Sequence, residues 1–407
     1  MDSWWRYLAA NGGDAMRRIA LRRLRRDRGA AALIVTMLFS TGVLVGVAAL
    51  TVDVGTWNSE KRQLQNAADA MALSMARTCA LAEANCNYVG ATTSLGSASI
   101  TQLANANSQD GSSSLDATVY GNGVCGSAGI STVIASLPRC NAPTASLGDC
   151  LPLPTWITTA PAPGIKYVES HTLTEDTNGN PVLPASFGQF ITGRSSYTLA
   201  ACSRAAYGPP GNGTGIIPVS FSQCDWFLDT ANGTSFPVTE VALAFNSANN
   251  SACTTKYGHD FPGGFGWLSH DATCVVSTDA NGWVDANTGI GAANDCATQI
   301  NAAVGREVFI PVFDCMDKNK SYCGNTANGT QTFYHIVGYA GFYLTAVSVN
   351  GQILANLPGY PSAAANSQCT AKGGKCFFGW WTQSEQSAGV IDPTAQNLGS
   401  QIIKPAG

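Results

Sequence analysis

The chain has 407 residues, long enough for two or three domains, and only 12% of them are charged. Its 36 Phe, Trp and Tyr exclude a disordered chain, which is typically rich in charge and poor in aromatics. The net charge of −4 splits into +5 over residues 1–29 and −9 over the rest, so no basic patch is left there to hold nucleic acid.

Residues 1–29 form a basic segment in which Arg17, Arg18, Arg22, Arg23, Arg25, Arg26 and Arg28 crowd the end. From Ala30 to Val52 run 23 residues without a charge. At 1.5 Å per residue such a helix covers a hydrocarbon core of about 30 Å. The Arg flank places the N-terminus in the cytoplasm and the remainder outside. The apolar run exceeds the roughly 7–15 residues of a cleavable signal core, so an uncleaved signal anchor is expected. Within it Gly42 and Gly46 stand at the GxxxG spacing that lets helix backbones touch in lipid.

The helical pattern continues over 53–85. Leu64, Ala67, Ala68, Met71, Ala72 and Met75 recur at i, i+3, i+4, i+7, i+8 and i+11, one face of a helix. The spacing predicts one helix over about 30–84, or two collinear ones broken near Gly55. The stripe of small residues suits either a partner helix or the protein's own β-rich part.

After Asn85, short β-prone runs alternate with Ser, Thr, Gly, Asn and Pro: 117–120, 165–173, 216–222, 240–245, 308–313 and 333–350. Residues 174–182, TEDTNGNPV, read as a hairpin turn following 166–173. The Pro-rich stretch 151–164 is the candidate linker or subdomain edge in an extracellular module spanning 86–407. Fourteen Cys, none before Cys79, are an even set in a disulfide-permissive compartment. No CxxC occurs, which argues against zinc. The close pairs Cys79/Cys86, Cys315/Cys323 and Cys369/Cys376 are disulfide candidates, with the connectivity left open. The fold class expected is therefore α+β: a long transmembrane helix continuing outside the membrane, then a β-rich, disulfide-stapled module.

Catalytic patterns are sparse. There is no GxSxG, HExxH or P-loop. His259-Asp260 and His270-Asp271 are adjacent pairs, and neighbours on an extended chain point in opposite directions, so neither pair is placed to share a proton. Asp176–Asn180 and Asp279–Gly282 offer oxygen donors as calcium loops do, but turn chemistry explains them and neither has the downstream Glu of an EF-hand. Asn-x-Ser/Thr sequons at Asn212, Asn232, Asn249 and Asn328 fit an exposed surface. No enzyme, metal or cofactor is expected.

The stretch 27–76 resembles the N-terminal segment of TadG-like Flp pilus-assembly proteins of the tight-adherence system. Gly29 follows the basic run, Val52, Asp53, Val54 and Gly55 match VDVG, and 65–76, with Gln65, Asn66 and Asp69, match QNAADAxALxxA. Looser similarities at 217–226, 262–268, 310–315 and 334–344 are those of the actinobacterial branch. The von Willebrand A domain of some TadG proteins is not visible; Asp110-Gly111-Ser112-Ser113-Ser114 imitates its metal motif without the preceding apolar strand. The pseudopilins TadE and TadF carry Glu five residues past their processing Gly, where Ile34 stands here, so prepilin processing is not expected. The resemblance implies a non-enzymatic, membrane-anchored part of Flp pilus assembly acting by helix packing and protein–protein contacts. Its partners would be membrane lipid and other assembly proteins, pilin or pseudopilins, with no nucleic acid and no small-molecule substrate. The alternative is a surface-anchored adhesin- or lectin-like module lined by Trp267, Trp283, Trp380 and Trp381, and the third choice is a secreted hydrolase.

Overall fold

The computed structural model describes residues 3–81, 86, 94–95, 98–107, 113–116, 119–120, 123–127, 137–140, 150–161, 163–175, 178, 180, 182–185, 189, 193–211, 217–244, 265–276, 278, 281–287, 295–320, 333–349, 351–371, 373–386 and 389–407; of the side chains in the first stretch, those of 3–31, 41, 42 and 45 fall outside the description. The chain divides into two compact units, Met1–Gln63 with Thr174–Leu199, and Leu64–Leu173 with Ala200–Gly407.

The first element is one unbroken helix, α1 (Ser3–Leu81). It starts well before the expected residue 30 and shows no break at Gly55. No Pro precedes Pro138, and a lone Gly costs a helix only about 1 kcal/mol, too little to interrupt one this long. Among the described residues no helix is long and apolar enough to cross a membrane. The large described apolar side chains of 30–52 are nevertheless exposed, Leu33, Met37, Phe39 and Leu44 each by about 60% or more, while Ala49 is half-buried.

The later elements are β1 (Ser94–Leu95), β2 (Ala98–Ser99), α2 (Ile100–Ala106), β3 (Ser113–Leu115), β4 (Val124–Gly126), α3 (Thr155–Thr158), β5 (Lys166–Thr174), β6 (Leu183–Pro184), β7 (Ser196–Tyr197), β8 (Ala200–Gly208), β9 (Val219–Ser222), α4 (Gln223–Asp229), β10 (Val241–Ala244), β11 (Phe265–Trp267), β12 (Trp283–Asp285), α5 (Ala297–Ala303), β13 (Glu307–Asp317), β14 (Phe333–Val349), β15 (Gln352–Asn356), α6 (Ala363–Ala371), β16 (Cys376–Thr382), β17 (Ser384–Gln386) and β18 (Ser400–Pro405). The first unit holds α1 as far as Gln63 and the small hairpin of β6 and β7, paired Leu183↔Tyr197. There Trp57 meets Tyr197 edge-on, with ring centroids 4.3 Å apart.

The second unit is built on two sheets. Eight strands run in the order β10-β16-β14-β13-β9-β11, with β12 and β15 also on β14; six run in the order β17-β18-β8-β5-β3, with β4 on β5. Strand β14 is the backbone of the larger sheet, because its aromatic and β-branched side chains suit burial on both faces. Phe221, Phe342, Phe377 and Trp381 form an edge-to-face cluster there, with Trp267 against Phe377. The three tryptophans Trp267, Trp283 and Trp381 are buried, and the half-buried Trp380 stacks on Tyr343, so this set does not line a surface site.

Two strand expectations are corrected. Residues 119–120 are a turn, with Tyr120 at φ 55°, and the strands lie on either side at β3 and β4. The segment 174–182 does not fold β5 back onto the next run. β5 pairs instead with β8, Leu173↔Ala200, and the chain between them makes its own hairpin in the other unit. The Pro-rich stretch 151–164 lies inside the second unit, where Ile157, Leu153 and Trp156 pack with Ile165, Ala206 and Ile402.

Disulfides join Cys79 to Cys86, Cys125 to Cys140, Cys150 to Cys202, Cys274 to Cys296 and Cys369 to Cys376. Cys315 is also bonded, while Cys323 lies outside the described residues, as do Asp110, Asp176, His259 and Asp279. Every described cysteine is in a disulfide. Alkylation of the unreduced, denatured protein is therefore expected to modify almost no thiol. Four or more labelled cysteines by mass spectrometry would contradict the map.

Candidate functional site

The helix stripe meets its partner inside the second unit. Ala67, Ala68, Met71 and Met75 are wholly buried, with Leu64 and Ala72 at 1% exposure. They pack with Val124, Val168, Ala205 and Tyr207 of the six-stranded sheet, and with Ala104 of α2. Small side chains matter because they let the helix backbone approach the strand closely enough for direct bonds. Ser170 donates its hydroxyl to the carbonyl of Ala68 at 2.7 Å, and Thr172 donates to that of Leu64 at 3.0 Å. Gln65 donates through Nε2 to Asp69 Oδ1 and to the carbonyl of Cys202, each at 3.0 Å. At the far end Gln383 donates to the Leu81 carbonyl, and Arg77 pairs with Glu385. Of the two covers open to Leu64, Ala68, Met71, Ala72 and Met75, a partner helix or the protein's own β-rich part, the structure has the second: the chain's own sheet packs on them.

The expected motif residues take different places. Asp53 is buried at 4% exposure, Gly55 and Asn66 are exposed, and Gln65 and Asp69 are half-buried in the dock just described. Nothing lies within 4 Å of where a Cβ on Gly46 would stand. Gly29 and Gly42 lie in α1, outside the residues whose side chains are described.

Behind β5 lies a cluster that the sequence did not reveal. Strand alternation sends Val168, Ser170 and Thr172 to the helix, and Tyr167, Glu169 and His171 to the opposite face. Glu169 stands directly across from Arg204 of β8. Its Oε2 accepts from Arg204 Nε at 2.9 Å and Nη2 at 2.6 Å, and its Oε1 bonds His171 Nε2 at 2.9 Å. Arg204 also donates to the Leu151 carbonyl at 3.0 Å, beside the Cys150–Cys202 disulfide. Burial pushes the Glu169 carboxyl up, but the His171 bond and the Arg204 charge and bonds outweigh it, and the value falls below the ordinary one. Two charged residues in a strand reading KYVESHTLT were the available signal. The sequence could not show that Arg204 would sit opposite.

A polar cleft of about 800 Å³ opens between Gly211, Thr278, Asn281, Gly282, Asp314, residues 335–339, Asp392 and residues 394–396. His335 Nδ1 bonds Asp314 Oδ1 at 2.8 Å, and the Trp283 ring lies 4.9 Å from the imidazole. Gly282, at φ +81°, and Gly338 keep its walls open: a Cβ on Gly338 would stand 2.7 Å from the Gln396 carbonyl. Asp392 is taken up in its own turn, accepting from Thr394 N at 2.8 Å and Oγ1 at 2.6 Å. His270-Asp271 behaves similarly. The Asp271 carboxylate accepts from the Thr273 hydroxyl and from the backbone of Thr273 and Val275, which holds its pKa down, while the His270 ring bonds the Asp271 main chain and lies 3.6 Å from the Cys296 sulfur. Among the described residues lining the cleft there is no Ser or Cys; its hydroxyls are those of Thr278, Tyr339 and Thr394. Cys315 cannot serve as a thiolate ligand there while it is disulfide-bonded.

The molecule is thus a helix-docked, disulfide-stapled β module carrying a long exposed apolar stretch on the same helix. Residues 29–77 match the family model of putative Flp pilus-assembly TadE/G-like proteins. The match covers the apolar stretch and the docked stripe, and stops just before the first disulfide. No curated protein and no solved structure matches the chain.

Proposed function

We propose that the protein is a non-enzymatic, membrane-anchored component of Flp pilus assembly, with residues 30–52 spanning the membrane once, 1–29 in the cytoplasm and the module outside. The observation that carries this reading is the TadE/G-like match over 29–77. The exposure of the large described apolar side chains of 30–52 supports it, since a helix apolar all round is stable only when something apolar surrounds it. The Arg run on its N-terminal flank gives the orientation. Deleting the gene and imaging the cells is expected to show loss of pili. Protease added to cells stripped of wall should digest the module, and a protected module would overturn the topology.

Partner contact then falls to the membrane segment, because the stripe outside it is occupied. The Gly42/Gly46 face is the helix-packing surface left to meet a pilin or pseudopilin helix. Gly46→Leu is expected to abolish piliation while leaving the melting temperature of the purified protein within about 1 °C, as for a surface change. Normal pili in that variant would remove this contact from the account.

The polar cleft favours a second reading, a surface binding module of adhesin or lectin type. Glycan-array binding that is lost in Asp314→Ala, with piliation intact, would select it over assembly.

A further inference from the structure

The hairpin of β6 and β7 belongs to the first unit with α1. It lies against the stretch of helix just beyond the apolar run. There Asp53 is buried, and Trp57, Glu60 and Gln63 are half-buried, at i, i+4, i+7 and i+10 along a helix whose other side is exposed. That spacing marks one continuous covered face. Tyr197 of the hairpin closes edge-on against Trp57.

The depth of this pair follows from helix geometry. Trp57 is five residues past Val52, about 7 Å along the axis at 1.5 Å per residue. The polar layer of a bilayer is roughly 5–8 Å thick on each side of the hydrocarbon core. Trp and Tyr favour that layer because a flat apolar body and a polar tip both find partners there. We infer that the β6–β7 hairpin is a membrane-surface element, holding Tyr197 and Trp57 together at the phospholipid headgroups of the outer leaflet. The covered face of α1 supplies the rigidity. This inference rests on the single-pass reading above and adds a second lipid contact to it.

Site-specific photocrosslinking separates the two. The full-length protein is reconstituted in phosphatidylglycerol/phosphatidylcholine vesicles with p-benzoylphenylalanine in place of Tyr197, Leu44 or Tyr343. A lipid adduct at 197, seen by mass spectrometry and absent at 343, is the expected result. An adduct at 44 without one at 197 overturns the hairpin contact and leaves the anchor standing. No adduct at either 44 or 197 overturns both, and equal labelling at 343 overturns the inference by showing that the lipid contact is not selective.

Discussion

Met71→Ala is expected to destabilise the outer module by about 2–5 kcal/mol, the usual cost of emptying a fully buried Met site. Met71 is wholly enclosed between the helix and the six-stranded sheet, so the site has little freedom to collapse. Ala68→Phe tests the same dock from the other side. Its carbonyl accepts the Ser170 hydroxyl, and a ring there must push helix and strand apart, costing about 1–3 kcal/mol or more. Thermal unfolding of the full-length protein in detergent reads both. Unchanged melting in both variants would mean that the helix does not dock on the sheet in solution, and would return the stripe to an external partner.

Arg204→Met is expected to cost about 3–5 kcal/mol, because it leaves the Glu169 carboxylate buried without its main counter-charge. The double variant Glu169→Gln with Arg204→Met should recover part of that loss, since no charge is then stranded. The pH dependence has a definite sign. Glu169 is held below the ordinary carboxyl value, so its contribution is present above the unfolded value of about 4.3 and is lost as pH falls through the folded one. Without Arg204 the carboxyl takes up a proton at higher pH, and acid unfolding should begin earlier. Identical acid-unfolding midpoints for the parent and Arg204→Met would show that the pair does not stabilise the fold.

Much of the secondary structure was legible locally. The runs 240–245 and 333–350 contain the strands found and 165–173 and 308–313 overlap theirs, because β-branched and aromatic residues bounded by turn formers leave few other choices. The misreading at 174–182 has a simple origin. Asp, Asn and Gly mark a turn truthfully, but which strand the chain returns to depends on partners far along it, here β8 from residue 200. The aromatics were a similar case: composition shows nine Trp, and only packing shows that Trp267, Trp283 and Trp381 face inward.

The sequence by itself determined the helix, its apolar stretch, the even set of cysteines and the TadE/G-like segment. Each of these is written in neighbouring residues, as periodicity, length or spacing. Tertiary structure alone decided what the stripe at 64–75 touches, that Glu169 meets Arg204, and that the β6–β7 hairpin brings Tyr197 against Trp57. Those outcomes join residues from about 35 to 140 positions apart. An apolar face specifies that it must be covered, and the cost of leaving it wet, but its chemistry is the same whether the cover is another protein or the chain's own sheet.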